Sequence, residues 1–359
     1  MTFDLEKLFV DVFAPQKGDI LTIMYDLPQG KVLDNSKWLD RRRMADEWHA
    51  QIKAFSNKYG MVVNPIVTYS ATGSHNSNMP QYGKWKGQQI GIEDILKNST
   101  IVISMPEYSA TAPLKRLSKK YVDLRTASMP GVTRAMERTA LAADYEKVAA
   151  VCAQLVPLFE KADGIEVLFS TGHVCYFDTS NHSHVGEDNG ILHPGTGINA
   201  DRVINLPSGE VFVCPNETDN SRTAGVIPAV IDEETIVFAV EANQIIRVDG
   251  EGPIAEKKRR EFTAEIALRN IAEVAIGCND KAVVTGNVLE DEKAGFHWAY
   301  GRSDFLGGIV GVDSFTSPDK VYHKDIVYAK GNPIVCNKLD FVFSNGTRKT
   351  AITNGVLSI

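Results

Sequence analysis

The chain has 359 residues, a formal net charge of −7, 43% hydrophobic and 23% charged residues. This is the make-up of a globular protein of about two domains, long enough to bury a core without disulfides or a structural metal. Its longest basic cluster (Lys257, Lys258, Arg259 and Arg260) is flanked by Glu256 and Glu261 and reads as a solvated helix face, so no nucleic-acid partner is expected.

In chain order, residues 2–13 have an amphipathic helical pattern and 19–24 form a short apolar run, read as a strand. Residues 36–59 are charged and periodic, as in a long helix, and 61–69 read as a strand rich in Val and Ile. A short helix over 92–97, a strand over 100–105 and a helix over 112–120 follow. This alternation argues for an α/β domain with an open, largely parallel sheet. An Ala-rich helical run over 134–163 closes it. From residue 165 onward, short runs such as EVFVCP, TIVFAVEA and QIIRVDG are punctuated by Gly, Asn and Asp, which predicts mostly antiparallel strands. One helix, roughly 254–275, interrupts them. The reading is a 1–164 α/β domain followed by a 165–359 mixed α+β domain. GxGxxG and GxxxxGK[ST] are missing from the first half, so a nucleotide-binding reading has little support.

No stretch approaches 18 uninterrupted apolar residues, and the first residues lack a basic segment leading into an apolar run. Neither a membrane span nor a secretory signal is expected, and a cytoplasmic location fits. The five cysteines (Cys152, Cys175, Cys214, Cys278 and Cys336) are odd in number and far apart in sequence. They suggest neither a disulfide framework nor a thiolate zinc site, and each reads as a small buried hydrophobe.

Five segments of the second half carry chemistry. In NLPSGEVFVCPNETD, Glu210 sits where a tight turn enters a strand, and Glu217 follows. In IAEVAIG, Glu273 interrupts an apolar run at the end of the expected helix. Buried there, it must be protonated, metal-bound or paired with a cation such as Arg269. In EKAGFHWAYG, His297 lies between aromatic residues, where a hydrogen-bonded core histidine is the commoner outcome. In VYHKDIV, His323 and Asp325 are two apart, so on a strand they share a face. Residues 172–194 hold His173, His182, His184 and His193, half of the eight histidines, in a polar loop that is either solvent-exposed or laid over a metal cleft. Three carboxylates and two imidazoles across 210–325 are the ligand chemistry of a one- or two-metal hydrolytic site.

These segments, in this order, resemble the aminopeptidase T/aminopeptidase S family of thermophilic-type metallo-aminopeptidases. The resemblance covers most of 201–328 and implies an N-terminal α/β domain, a C-terminal domain with divalent ions, and a homodimer. It assigns metal ligation to Glu210, Glu273, His297, His323 and Asp325. The family's further Tyr ligand, seven residues after the His, is replaced by Asp304, which leaves open whether one ion or two are held. A second branch of the superfamily, the dihydroxypyridine ring-cleaving dioxygenases, holds a single Fe(II) with two His and one Asp. It has a His where this chain has Glu273 and lacks the Glu at the Glu210 turn. An iron site of His297, His323 and Asp325 would leave Glu210 and Glu273 unexplained.

The resulting expectation is hydrolysis of an amide bond in a small or short-peptide substrate, with one or two Zn, Co or Mn ions activating water. Glu217 is the candidate general base, and Lys293 or Arg302 a candidate oxyanion stabiliser.

Overall fold

The computed structural model describes residues 3–195, 202–317 and 320–359. Helix α1 (Leu5–Phe13) begins where the Lys7 N–H donates to the Asp4 carboxylate, and it turns Leu5, Leu8, Phe9, Val12 and Phe13 inward. Strand β1 (Ile20–Leu27) is buried at its six inner positions, as a strand covered on both faces must be. Helix α2 (Ser36–Tyr59) is capped by Asn35 and stops at Gly60, whose φ of 64° suits glycine. The run 61–69, expected as one strand, is two: β2 (Val62–Val63) and β3 (Val67–Ser70). Pro65 lies between them and has no N–H for a ladder. Then come β4 (Tyr82–Trp85), β5 (Gln88–Gly91), α3 (Ile92–Leu96), β6 (Ile101–Ser104), α4 (Thr111–Lys120) and β7 (Arg125–Ser128). The helical run 134–163 resolves into two 3-10 turns and α5 (Tyr145–Lys161).

The second half continues with β8 (Gly164–Phe169), β9 (Val174–Asp178), β10 (Gly186–Asp188), β11 (Val203–Asn205), β12 (Glu210–Val213), β13 (Ala224–Ile231), β14 (Glu234–Glu241) and β15 (Gln244–Asp249). The helix expected over 254–275 is corrected. Helix α6 (Pro253–Ala264) ends early, a 3-10 turn spans Ile266–Arg269, and Glu273 lies on a strand, β16 (Ile271–Gly277). Every residue of β16 is buried, so its near-continuous apolar run carries no period that separates strand from helix. After α7 (Val288–Asp291) come β17 (Phe296–Gly301), β18 (His323–Val327), β19 (Cys336–Val342), β20 (Arg348–Thr353) and β21 (Val356–Leu357).

The chain divides into two compact units, Met1–Ala149 with Asp188–Ser208, and Ala150–Glu187 with Gly209–Ile359. The boundary read near residue 164 falls within the first segment of the second unit. The first unit holds a sheet ordered β11-β7-β6-β1-β3-β4-β5, with β2 also beside β1. Its pairs are parallel except β3–β4 and β4–β5. Met24, Val67, Leu96, Val102 and Leu114 pack in its core. The second unit holds an antiparallel sheet ordered β15-β14-β13-β9-β8-β19-β20-β21. In a further five-stranded sheet, β12, β16, β17 and β18 are successive antiparallel neighbours. On β17 the aromatic residues alternate with His297 and Ala299. Trp298 and Tyr300 pack against Phe238 at ring-centroid distances of 5.8 and 6.3 Å, which anchors the strand from its opposite face. Among the described residues no helix is long and apolar enough to cross a membrane.

Candidate metal centre

Strand register explains why ligand-type side chains remote in sequence meet. In antiparallel pairs, directly opposed residues point to the same face. Glu210 opposes Gly277, Glu273 opposes Ala299, His297 opposes Ala275, Asp325 opposes Ala299 and His323 opposes Gly301. One face of the sheet therefore collects all five side chains, and the residues that directly oppose them in these pairs, Gly277, Ala299, Ala275 and Gly301, are small.

The five form two overlapping groups, Glu210 with Glu273 and His297, and Glu273 with His323 and Asp325. Within each, one potential ligand atom per residue lies within 4.8 Å of the others. Glu273 belongs to both and faces them with different oxygens. Its Oε1 lies 3.8 Å from His297 Nε2, and its Oε2 lies 3.1 Å from His323 Nε2. His297 Nε2 is 3.4 Å from Glu210 Oε2, and His323 Nε2 is 3.3 Å from Asp325 Oδ1. The first group is buried, and the second is half-buried at His323 and Asp325.

Both imidazoles are oriented from behind. His323 Nδ1 lies 2.7 Å from the Arg302 carbonyl and His297 Nδ1 lies 3.3 Å from the Gly295 carbonyl. A carbonyl only accepts, so each Nδ1 carries a hydrogen, and each ring would present a bare Nε2 to the cluster once it gave up its second proton, the arrangement of metal-binding histidines. Glu210 Oε2 is buried and makes no well-formed hydrogen bond, with the His297 ring 3.4 Å away beside it, a state that a cation would relieve. The residues present therefore fit a divalent-cation site.

Burial pushes the Glu210 carboxyl up, but the Lys293 ammonium and His297 outweigh it and hold it at about 2. Glu273 and Asp325 likewise stay below the ordinary carboxylate value despite burial, through His297 and His323 for the first and His323 for the second. Burial works against protonated imidazoles, yet the carboxylates hold both His297 and His323 well above their ordinary value. Burial pushes Glu292 up to about 8 against the opposing pull of Lys293. Sequence reading passed over this acid, although it opens the segment that contains His297.

Lys293, expected at an oxyanion, is fully buried, and its Nζ lies 2.5 Å from Glu210 Oε1 and 2.7 Å from Glu292 Oε1. Glu217, expected as a general base, is in neither group. Its Oε1 accepts from Asn270 Nδ2 at 2.5 Å and Ser303 Oγ at 2.6 Å, and its Oε2 from the Ile309 N–H at 2.5 Å. Arg302, the other oxyanion candidate, directs its guanidinium to Asp304, with Nε 2.5 Å from Oδ1. Asp304 is thus ion-paired and belongs to neither group, and the next residue, Phe305, sets its ring edge-on to His323 at 5.2 Å. Arg269 donates to the Phe262 carbonyl, so Glu273 takes imidazole partners instead of a guanidinium. In the His-bearing segment, His173 Nδ1 meets Thr171 Oγ1, His182 Nδ1 meets the Thr179 carbonyl, and His193 Nε2 meets the Asp11 carbonyl. No histidine of this segment enters either group.

Gly277 permits the whole arrangement. A Cβ there would stand 2.2 Å from the Glu292 carbonyl oxygen and 2.5 Å from the Lys293 carbonyl carbon. Those atoms are backbone and cannot swing away. Gly277→Ala is expected to lower stability by about 1–3 kcal/mol, the usual cost of overpacking, and to weaken cation binding by displacing Lys293. Chemical denaturation and a metal titration check this, and an unchanged midpoint would contradict the close approach.

No protein-family model matches this chain, and no curated protein matches it in sequence. Solved structures match it in fold. The 2,5-dihydroxypyridine dioxygenase of Pseudomonas putida KT2440 superimposes with a TM-score of 0.63 at 15% identity, covering 99% of this chain and 96% of that one. Wild-type AmpT of Thermus thermophilus superimposes with a TM-score of 0.57 at 14% identity, covering 99% of each chain. At such identities the likeness is one of fold.

Proposed function

We propose that this protein is a metal-dependent hydrolase that cleaves an amide bond, most simply at the N-terminus of a short peptide. The observation that carries the reading is the shared Glu273, with one carboxylate oxygen toward each histidine, which is the donor pattern of two adjacent cation positions. Each group supplies one imidazole and two carboxylates, a set suited to Zn, Co or Mn. The two fold neighbours named above are enzymes, one a dihydroxypyridine dioxygenase and one an aminopeptidase. Hydrolysis is favoured over ring cleavage because the two-His, one-carboxylate set of His297, His323 and Asp325 does not fall in one group, whereas Glu210 and Glu273 both do work in the two-cation reading.

Bound cations would polarise the scissile carbonyl and supply hydroxide near neutral pH. The chain's own residues do the rest. Lys293 keeps Glu210 ionised and aimed at the cluster, so it acts through Glu210 and not on the substrate. Glu292, titrating at about 8, is matched to taking up and releasing a proton at physiological pH. Glu217 holds the 303–309 segment in place, and with it the Phe305 ring beside His323.

Metal analysis of the native protein, then a screen of aminoacyl anilides with added Zn, Co or Mn, tests the reading. About two equivalents of divalent ion with anilide release are expected. A single Fe(II) with oxygen uptake on a hydroxylated pyridine would replace it with the dioxygenase reading. Because both imidazoles are held well above their ordinary value and must shed their protons to bind, cation affinity is expected to weaken on the order of a hundredfold from pH 7.5 to 5.5, with protons released on binding. Titrations in two buffers of different ionisation enthalpy measure this, and a pH-independent affinity counts against imidazole ligation.

A further inference from the structure

Two cysteines that sequence order separates by 126 positions meet in the second unit. Cys152 Sγ on α5 lies 3.4 Å from Cys278 Sγ, just beyond the end of β16. Cys152 is fully buried and Cys278 only partly, so Cys278 is the more accessible residue of the pair. Cys175 and Cys336, by contrast, are fully buried and appear in no such sulfur–sulfur contact. The pair also touches the turn that presents Glu210. The Cys278 N–H donates to the Gly209 carbonyl at 2.8 Å, and the Cys152 thiol approaches the Glu210 carbonyl at 3.8 Å.

We propose that Cys152 and Cys278 form a reversible disulfide under mild oxidation and that this modification weakens the neighbouring cation site. Hydrogen peroxide oxidises the Cys278 thiol to a sulfenic acid with release of one water. The Cys152 sulfur then attacks that sulfur, the S–O bond breaks, and a second water leaves with the Cys152 proton. Two thiols are oxidised by two electrons and one peroxide is reduced to two waters. The sulfurs must close from 3.4 Å to about 2.05 Å, so α5 and the end of β16 draw together, and the S–H group beside the Glu210 carbonyl is lost. Both changes disturb the start of β12, where Glu210 points into the first ligand group. The consequence for the cation rests on the metal reading above; the formation of the disulfide does not.

The full chain, reduced and then exposed to about one millimolar hydrogen peroxide, is to be unfolded and its thiols counted against the five cysteines present. The expected count falls to three, a peptide linking Cys152 to Cys278 appears in non-reducing mass spectrometry, and dithiothreitol restores five. Cys278→Ser and, separately, Cys152→Ala each abolish the linked peptide. A count that stays at five, or a link between other cysteines, overturns the proposal using wild-type protein alone, whatever the variants do. Zinc titration against a chromophoric chelator then compares the two forms, with at least a threefold weaker Kd expected for the oxidised one. An unchanged Kd overturns the coupling to Glu210. Failure of the reduced protein to bind zinc at all would strike the metal reading, while the thiol count would still decide the disulfide.

Discussion

Replacing Glu273 by Gln is expected to empty both cation positions at once. Its carboxylate is the one member common to the two ligand groups, and each of its oxygens faces a different imidazole. A neutral amide of the same shape offers one acceptor oxygen instead of two anionic ones. Binding should therefore weaken by more than the roughly 10–100-fold that loss of a supporting residue costs, and hydrolytic activity should fall in step. Glu210→Gln and Asp325→Asn each remove a ligand from one group only, so each is expected to leave about one equivalent of cation bound. Metal stoichiometry across the three variants is the discriminating measurement. If Glu273→Gln retains one tightly held ion, the two positions do not share a bridge and the present arrangement of the site is wrong.

Lys293→Met is expected to give the largest loss of stability. The ammonium is fully buried against Glu210 and Glu292, and removing one partner of a buried pair typically costs about 3–5 kcal/mol because the other charge is left uncompensated. The pH dependence follows from the sign of the Glu210 shift. Its carboxyl is held at about 2 in the folded protein, below its ordinary 4.5. It therefore contributes stability that is fully present above 4.5 and is lost as pH falls from 4.5 towards 2. Without Lys293 that folded value rises, the stabilising window narrows, and acid unfolding starts at a higher pH. Added Zn or Mn should recover part of the loss, because a cation beside Glu210 replaces the missing positive charge. Denaturation curves from pH 3 to 8, with and without metal, check both statements. A variant as stable as the wild type at neutral pH would show that the ammonium contributes nothing net.

Much of the candidate centre was readable along the chain because its signals are local. An HxD on a strand shares a face by the two-residue period, so His323 and Asp325 could be paired before any fold was known. The strand–helix alternation of the first half likewise follows from runs short enough to classify by period and by their Gly and Pro stops. Glu273 shows the limit. IAEVAIG is buried throughout, and a strand covered on both faces has lost the alternation that marks a strand, so its sequence reads equally as the end of a helix. Its flanking Arg269 was an open alternative as partner until the fold turned that side chain to the Phe262 carbonyl.

Residue chemistry thus named the candidate donor atoms, since carboxylates and imidazoles are the same wherever they sit, and period-two spacing joined those that lie on one strand. What the linear order could not express is which distant strands become neighbours and in what register. Pairing β12, β16, β17 and β18 aligned Glu210, Glu273, His297 and the His323–Asp325 pair on one face. The same long-range packing brought Cys152 against Cys278 and tied Glu217 to Ser303 and Ile309, leaving it outside the ligand groups. Those contacts depend on cross-strand pairing and burial summed over the whole unit, and no short window of residues carries that information.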